Sequence, residues 1–114
     1  MRKLEAIIRK SKFKEVKRAL IEGGFNSFNY RLTRCISGKS ETRYYRGVEF
    51  DSVATERIFL ALYVKDKDID MAISIIKDSG YTGEADDSYL AVFAANKAYK
   101  LLGGDEEDKL IEII

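Results

Sequence analysis

The side chains with the most chemistry to offer lie between Arg34 and Phe50, where Arg34, Lys39, Arg43 and Arg46 are interleaved with Tyr44 and Tyr45. Cations alternating with aromatic rings grip anionic partners or stack on bases. The competing reading is a solvated loop kept soluble by its charge. The length of the stretch favours function, because ordering it costs entropy with no packing return. Direct nucleic-acid readout is not expected. The paired acids Asp86-Asp87 and Glu106-Glu107 carry the residue types of a metal or acid–base site. Adjacent residues on a strand or helix point apart, so the pairs read instead as decoration of a turn and a helix start. The chain has no histidine, which removes Ser-His-Asp catalysis, imidazole proton transfer and the common zinc ligand sets. No enzyme is expected.

Composition narrows the classes further. A chain of 114 residues is expected to form one domain over 1–114, large enough for a core without metal or disulfide staples. With 20 Lys+Arg against 19 Asp+Glu the net charge is +1, so no global field recruits nucleic acid or a membrane surface. Cys35 is the only cysteine, which excludes an intrachain disulfide and fits a reducing cytosol. It reads either as a redox-sensitive thiol beside Arg34 or, more simply, as a small apolar filler. The sequence has no apolar run of about 18 residues and no charged-then-apolar leader. The expectation is a cytoplasmic protein that is not itself inserted in a membrane.

The elements that must position the basic stretch follow from periodicity. Leu4, Ala6 and Ile8 alternate with Lys3, Glu5 and Ile7, which predicts a strand. Phe13, Val16, Ala19 and Leu20 recur at helical spacing, with Ser11 as the predicted N-cap and Gly23-Gly24 as the stop. Alternation returns from Phe25 to Ile36, placing Phe28, Tyr30 and Leu32 on one face of a second strand that feeds the long loop. The apolar run Ile58–Val64 predicts a central strand buried on both faces. Asp66 to Ser79 predicts a second helix with the stripe Ile69, Ala72, Ile73 and Ile76, stopped by Gly80. Tyr89 to Phe93 predicts a fourth strand, and Asp105 to Ile114 a terminal helix that packs on a neighbour.

That order, βαββαβ with a long loop between strands 2 and 3, is the split β-α-β arrangement of α+β ferredoxin-like domains. Two helices cover one face of such a sheet. The other face then keeps apolar residues from the set Ile7, Phe59, Tyr63, Leu90 and Val92, and an exposed apolar sheet is an association signal.

Three segments resemble the nitrogen-regulatory PII signalling family. Tyr45-Arg46-Gly47-Val48-Glu49-Phe50 is similar to the Tyr-Arg-Gly-Ala-Glu-Tyr box that closes that family's long loop. Met1 to Arg9 resembles its first strand, and Thr82 to Tyr89 sits where it carries Thr-Gly-x-x-Gly-Asp-Gly-Lys. The resemblance runs almost end to end. It implies a homotrimer packed sheet to sheet, with adenine nucleotide between subunits setting the shape of a loop that contacts an ammonium channel or a biosynthetic enzyme. The loop positions it marks for partner binding are Lys39, Arg43, Tyr44, Tyr45 and Arg46.

The same resemblance marks Ile7, Arg57, Gly83, Asp87, Ser88 and Lys100 for the nucleotide: Ile7 against adenine, the amides of Asp87 and Ser88 toward phosphate, Arg57 and Lys100 as basic partners. Bland readings stand beside these, since Arg57 and Lys100 also suit surface charges and Ile7 ordinary core. Several family features are altered. Cys35-Ile36-Ser37 replaces Gly-Phe-Gly, and no glutamine stands near Lys39, so 2-oxoglutarate sensing is expected to be lost. Phe50 replaces the modifiable tyrosine and has no hydroxyl to accept a nucleotidyl group, leaving Tyr44 or Tyr45 as the alternatives.

Asp86, Ser88 and Tyr89 replace glycine, glycine and lysine, and Leu102 replaces the second C-terminal arginine. Glu84, Asp86 and Asp87 put acids where a triphosphate would sit. Each like-charge pair about 4 Å apart costs ~1 kcal/mol in water and ~4 kcal/mol at a surface-like dielectric. ADP or AMP is therefore expected over ATP. The sequence leaves three functions open: a trimeric signalling protein gated by an adenine nucleotide, a trimeric interaction module that has lost nucleotide and 2-oxoglutarate sensing, and a small ferredoxin-like enzyme such as an acylphosphatase. The third lacks a recognisable arginine-asparagine phosphate site.

Overall fold

Among the described residues, alternation and helical periodicity are realised as six strands and two helices. The computed structural model describes residues 1–36, 54–83, 88–99 and 101, together with the backbone of 43–45 and 48–50. In chain order the elements are β1 (Arg2–Arg9), α1 (Lys10–Glu22), β2 (Asn29–Cys35), β3 (Arg43–Tyr45), β4 (Val48–Phe50), β5 (Thr55–Val64), a 3₁₀ turn (Asp66–Asp68), α2 (Ile69–Gly80) and β6 (Tyr89–Ala94). Four strands form an antiparallel sheet in the order β2-β5-β1-β6, while β3 and β4 pair separately. The architecture is α+β, with two helices and a four-stranded antiparallel sheet, consistent with the arrangement expected from the sequence.

Register decides which side chains meet. Leu4 lies opposite Leu62 on one side and Val92 on the other, and Ala6 opposite Leu60 and Leu90. These residues share the face covered by the helices, and Leu4, Ala6 and Leu60 are wholly buried there with Val16 and Leu20 of α1 and Ala72 and Ile76 of α2. Each buried leucine or valine contributes about 1.5–3 kcal/mol. An exposed ion pair such as Lys12–Glu15 contributes about 0–1 kcal/mol. The helix face therefore holds the fold.

Local signals mostly end the elements where expected. The α1 terminus is a Schellman motif: the Phe25 amide donates to Leu20 O at 2.8 Å and the Gly24 amide to Ile21 O at 3.1 Å. Gly24 takes φ +94°, a left-handed geometry that an L side chain adopts only with strain.

The structure corrects five readings. Ser11 does not cap α1, because β1 runs straight into the helix and the capping position falls on Arg9, which makes no side-chain cap bond. Gly80 does not stop α2 from outside; it is the last helical residue, buried against Val16 and Ile8. Asp66 lies in the 3₁₀ turn before α2 and there accepts a hydrogen bond from the Met1 ammonium at 2.9 Å. β5 is covered only in part on its second face, where Ala61 is buried but Tyr63 is 40% exposed. Finally, Leu90 and Val92 face the helix side, so they do not belong to the uncovered set with Ile7, Phe59 and Tyr63.

Candidate functional site

Period-two alternation on β1 puts Ile7 on the uncovered face, and pairing then gives it neighbours from both sides: Phe59 on β5 and Tyr89 on β6. Further out, Tyr63 and Phe93 lie opposite Lys3 on the same face. Tyr63, Tyr89 and Phe93 are exposed aromatic residues. Ile7 itself is buried by this surround. Two cations lie over rings of the face: the Arg31 guanidinium is 4.7 Å from the Phe59 centroid and Lys3 Nζ 5.9 Å from that of Tyr63. Lys3 also pairs with Glu5 at 3.0 Å, and that hydrogen bond is the main reason its pKa is raised above the ordinary lysine value.

One end of the face is cationic. Arg9 stands directly opposite Arg57 across β1 and β5, and Thr33 of β2 opposite Arg57 in turn. Like charges facing each other across a ladder repel. Arg57 turns one Nη1 donor onto the Glu56 carbonyl at 2.9 Å, while Glu56 accepts from Lys10 at 3.2 Å.

Of the residues marked for a nucleotide, Ile7 and Arg57 thus share one face of adjacent strands, and Ser88 immediately precedes Tyr89, the cross-strand neighbour of Ile7. Gly83 has φ +81°, a conformation that suits glycine there. Asp87 and Lys100 lie outside the described residues. Arg9 and Arg31 are the residues that the sequence reading missed. Arg9 was within reach of the argument, being two positions beyond Ile7 on the same strand; Arg31 needed the β2–β5 register.

Within the basic stretch, Arg43, Tyr44 and Tyr45 form β3 and pair with Phe50, Glu49 and Val48 of β4. The sequence signal for this hairpin was Arg46-Gly47, a two-residue connection ending in glycine. Lys39 and Arg46 lie outside the described residues. Cys35 closes β2 as a half-buried free thiol. Among the described residues no group of three His, Cys, Asp or Glu is placed to hold a metal ion, and no helix is long and apolar enough to cross a membrane.

No family model matches the chain. Individual proteins do. A nitrogen regulatory protein P-II of Rhodospirillum rubrum is 30% identical over 106 residues, covering 92% of this chain and 95% of the relative. A protein of the same name from Microchaete diplosiphon is 28% identical over 112 residues, 97% of this chain and the whole of the relative. Nitrogen regulatory protein P-II 1 of Escherichia coli is 27% identical over 112 residues. Identity at this level over nearly the full length of both chains decides the matter: the chain belongs to the nitrogen regulatory P-II family.

Proposed function

We propose that the chain is a nitrogen-regulatory signalling subunit that works as a homotrimer. Its sheets pack face to face, and the arm from about Ser37 to Glu49 contacts a regulated partner protein, a membrane transporter or a metabolic enzyme, under the control of an adenine nucleotide held between subunits. The observation that carries this reading is the uncovered sheet face with Tyr63, Tyr89 and Phe93 exposed. Exposed aromatic residues clustered on one face of a small sheet mark an association surface. Beside it, the opposed Arg9 and Arg57 supply charge for a phosphate, and the apolar Ile7 lies one cross-strand step away.

Chemistry of the residues present favours ADP or AMP over ATP. Tyr89 stands where the family carries its lysine, and Glu84, Asp86 and Asp87 add negative charge along the same segment. The 2-oxoglutarate response is absent in this proposal, for want of the glutamine and the glycines of the loop entry. The protein acts in the cytoplasm, on the strength of its lone cysteine.

The test has two parts. Sedimentation at micromolar concentration should give a particle of three chains, and a lone 13.0 kDa species would end the proposal. Calorimetric titration should then give binding in the order ADP or AMP over ATP, with proteolysis between 37 and 49 slowed by the ligand. A trimer that binds none of the three supports the second reading, an interaction module of the same fold without sensing. What favours that reading is the loss of the family lysine at Tyr89.

A further inference from the structure

The helix side of the sheet stays open at one edge. α1 lies over β1 and β5, and the edge strand β2 beyond it turns Tyr30, Leu32 and Arg34 to the same side, opposite Leu60, Ile58 and Glu56. Tyr30 and Leu32 keep 53% and 56% of their surface. The Phe13 ring of α1 meets that of Tyr30 at 4.5 Å between centroids, so an apolar strip runs along the flank of α1. Cations border it. Lys10 and Lys17 lie one turn to either side of Phe13 on the helix, and Arg34 follows Leu32 on the strand. Lys10 is paired with Glu56 at 3.2 Å, whereas Lys17 is exposed and makes no ion pair among the described residues.

The sequence holds a segment of the opposite character. Residues 105–114 read Asp-Glu-Glu-Asp-Lys-Leu-Ile-Glu-Ile-Ile: acids in a row, then Leu110, Ile111, Ile113 and Ile114 at the spacing of one helical face. They lie outside the described residues, and the chain leads to them from β6 through Leu101, which is wholly exposed. β6 and β2 are opposite edges of the sheet, so the strip of the same chain is the distant one. In the proposed ring of three, heterologous contacts join unlike edges, and the β6 edge of one chain meets the β2 edge of the next. We propose that residues 105–114 of each chain dock on this strip of its neighbour, the apolar side chains over Phe13, Tyr30 and Leu32 and the acids toward Lys17 and Arg34. The inference rests on the homotrimer proposed above and adds to it an inter-chain clasp on the helix side, away from the aromatic face.

Amide chemical shifts of Tyr30 and Leu32 in the full chain read the contact, and sedimentation reads the particle. Ile111→Ser with Ile113→Ser should move both amides while the particle keeps its three chains. Lys17→Glu should lower the ratio of docked to free segment about two- to five-fold, the weight of one exposed charge pair, and adding Glu106→Lys with Glu107→Lys should restore it. Mixing identifies the neighbour. Labelled chains carrying both serines, refolded with an excess of unlabelled wild type, should show Tyr30 and Leu32 at their wild-type shifts. Shifts that stay at the variant's values would put each segment on its own chain and overturn the proposal. It is overturned as well if the two serines leave both amides unmoved in a particle of three chains, whereas a wild type that sediments as a single chain removes the homotrimer and this contact together.

Discussion

The two faces of the main sheet are built from the same strands and have opposite fates. On the helix side Leu4, Ala6 and Leu60 are fully enclosed, whereas on the other side Tyr63, Tyr89 and Phe93 keep 40–58% of their surface. Both faces carry large apolar residues, although the uncovered one also carries Lys3, Glu5, Arg9, Arg31 and Arg57. Cover completes the separation. The helix side is completed by α1 and α2 of the same chain; the other has charged side chains lying over its rings, Arg31 on Phe59 and Lys3 on Tyr63, which leave the aromatic edges available. One face makes the fold, and the other is the surface proposed above for assembly.

The largest effect is expected from attacking the covered face. Leu60→Ala should lower unfolding stability by about 2–5 kcal/mol in a denaturant titration, because the cavity it leaves is ringed by packed neighbours. Phe93→Ser should change the stability of the dissociated chain by only about 0.5 kcal/mol, as for other exposed positions, yet sedimentation should show a lighter particle. Equal losses of stability from the two would erase the distinction between the faces.

A smaller, matched pair of effects is expected from two glycines. Gly24 and Gly83 have φ of +94° and +81°, so Gly24→Ala and Gly83→Ala should each cost about 1–2 kcal/mol in thermal unfolding. Only the second should weaken the nucleotide binding proposed above, because Gly24 ends α1 on the covered side.

The smallest effect concerns Asp66. Its carboxyl is held below the ordinary carboxylate value, chiefly by the hydrogen bond from the Met1 ammonium and then by Coulomb attraction to it and to Arg2, against a desolvation cost. A depressed carboxylate pKa stabilises the fold above the unfolded value, and that contribution disappears as pH falls through the folded value. Asp66→Asn should therefore lower stability slightly near neutrality, flatten the acid limb of the curve and leave stability unchanged below the folded value. An unaltered acid limb would show that this exposed pair contributes nothing.

Much of the fold was legible because its signals are local. The alternation of Leu4, Ala6 and Ile8 and the stripe Ile69, Ala72, Ile73 and Ile76 each need only their own segment to be read. Ser11 misled because a cap depends on where the preceding strand ends, and β1 runs directly into α1. Val92 misled because the face of an edge strand is set by its register with β1. The β3–β4 hairpin went unread since three-residue strands carry too little periodicity to stand out from a polar stretch. For the candidate site, Ile7 and Arg57 were named from resemblance alone, and it took the β1–β5 register to put them on one face with Arg9.

The sequence by itself determined the period of each segment, the helix stop at Gly23-Gly24 and the family boxes around Tyr45 and Thr82, since each is a property of consecutive residues. Only the tertiary structure decided that Arg9 meets Arg57, that Ile7 sits between Phe59 and Tyr89, and that Tyr30 and Leu32 are left exposed beside α1. The reason is that a strand's alternation names two faces without saying which one the helices will take, and that choice is made by residues outside the strand, Val16 and Leu20 of α1 with Ala72 and Ile76 of α2.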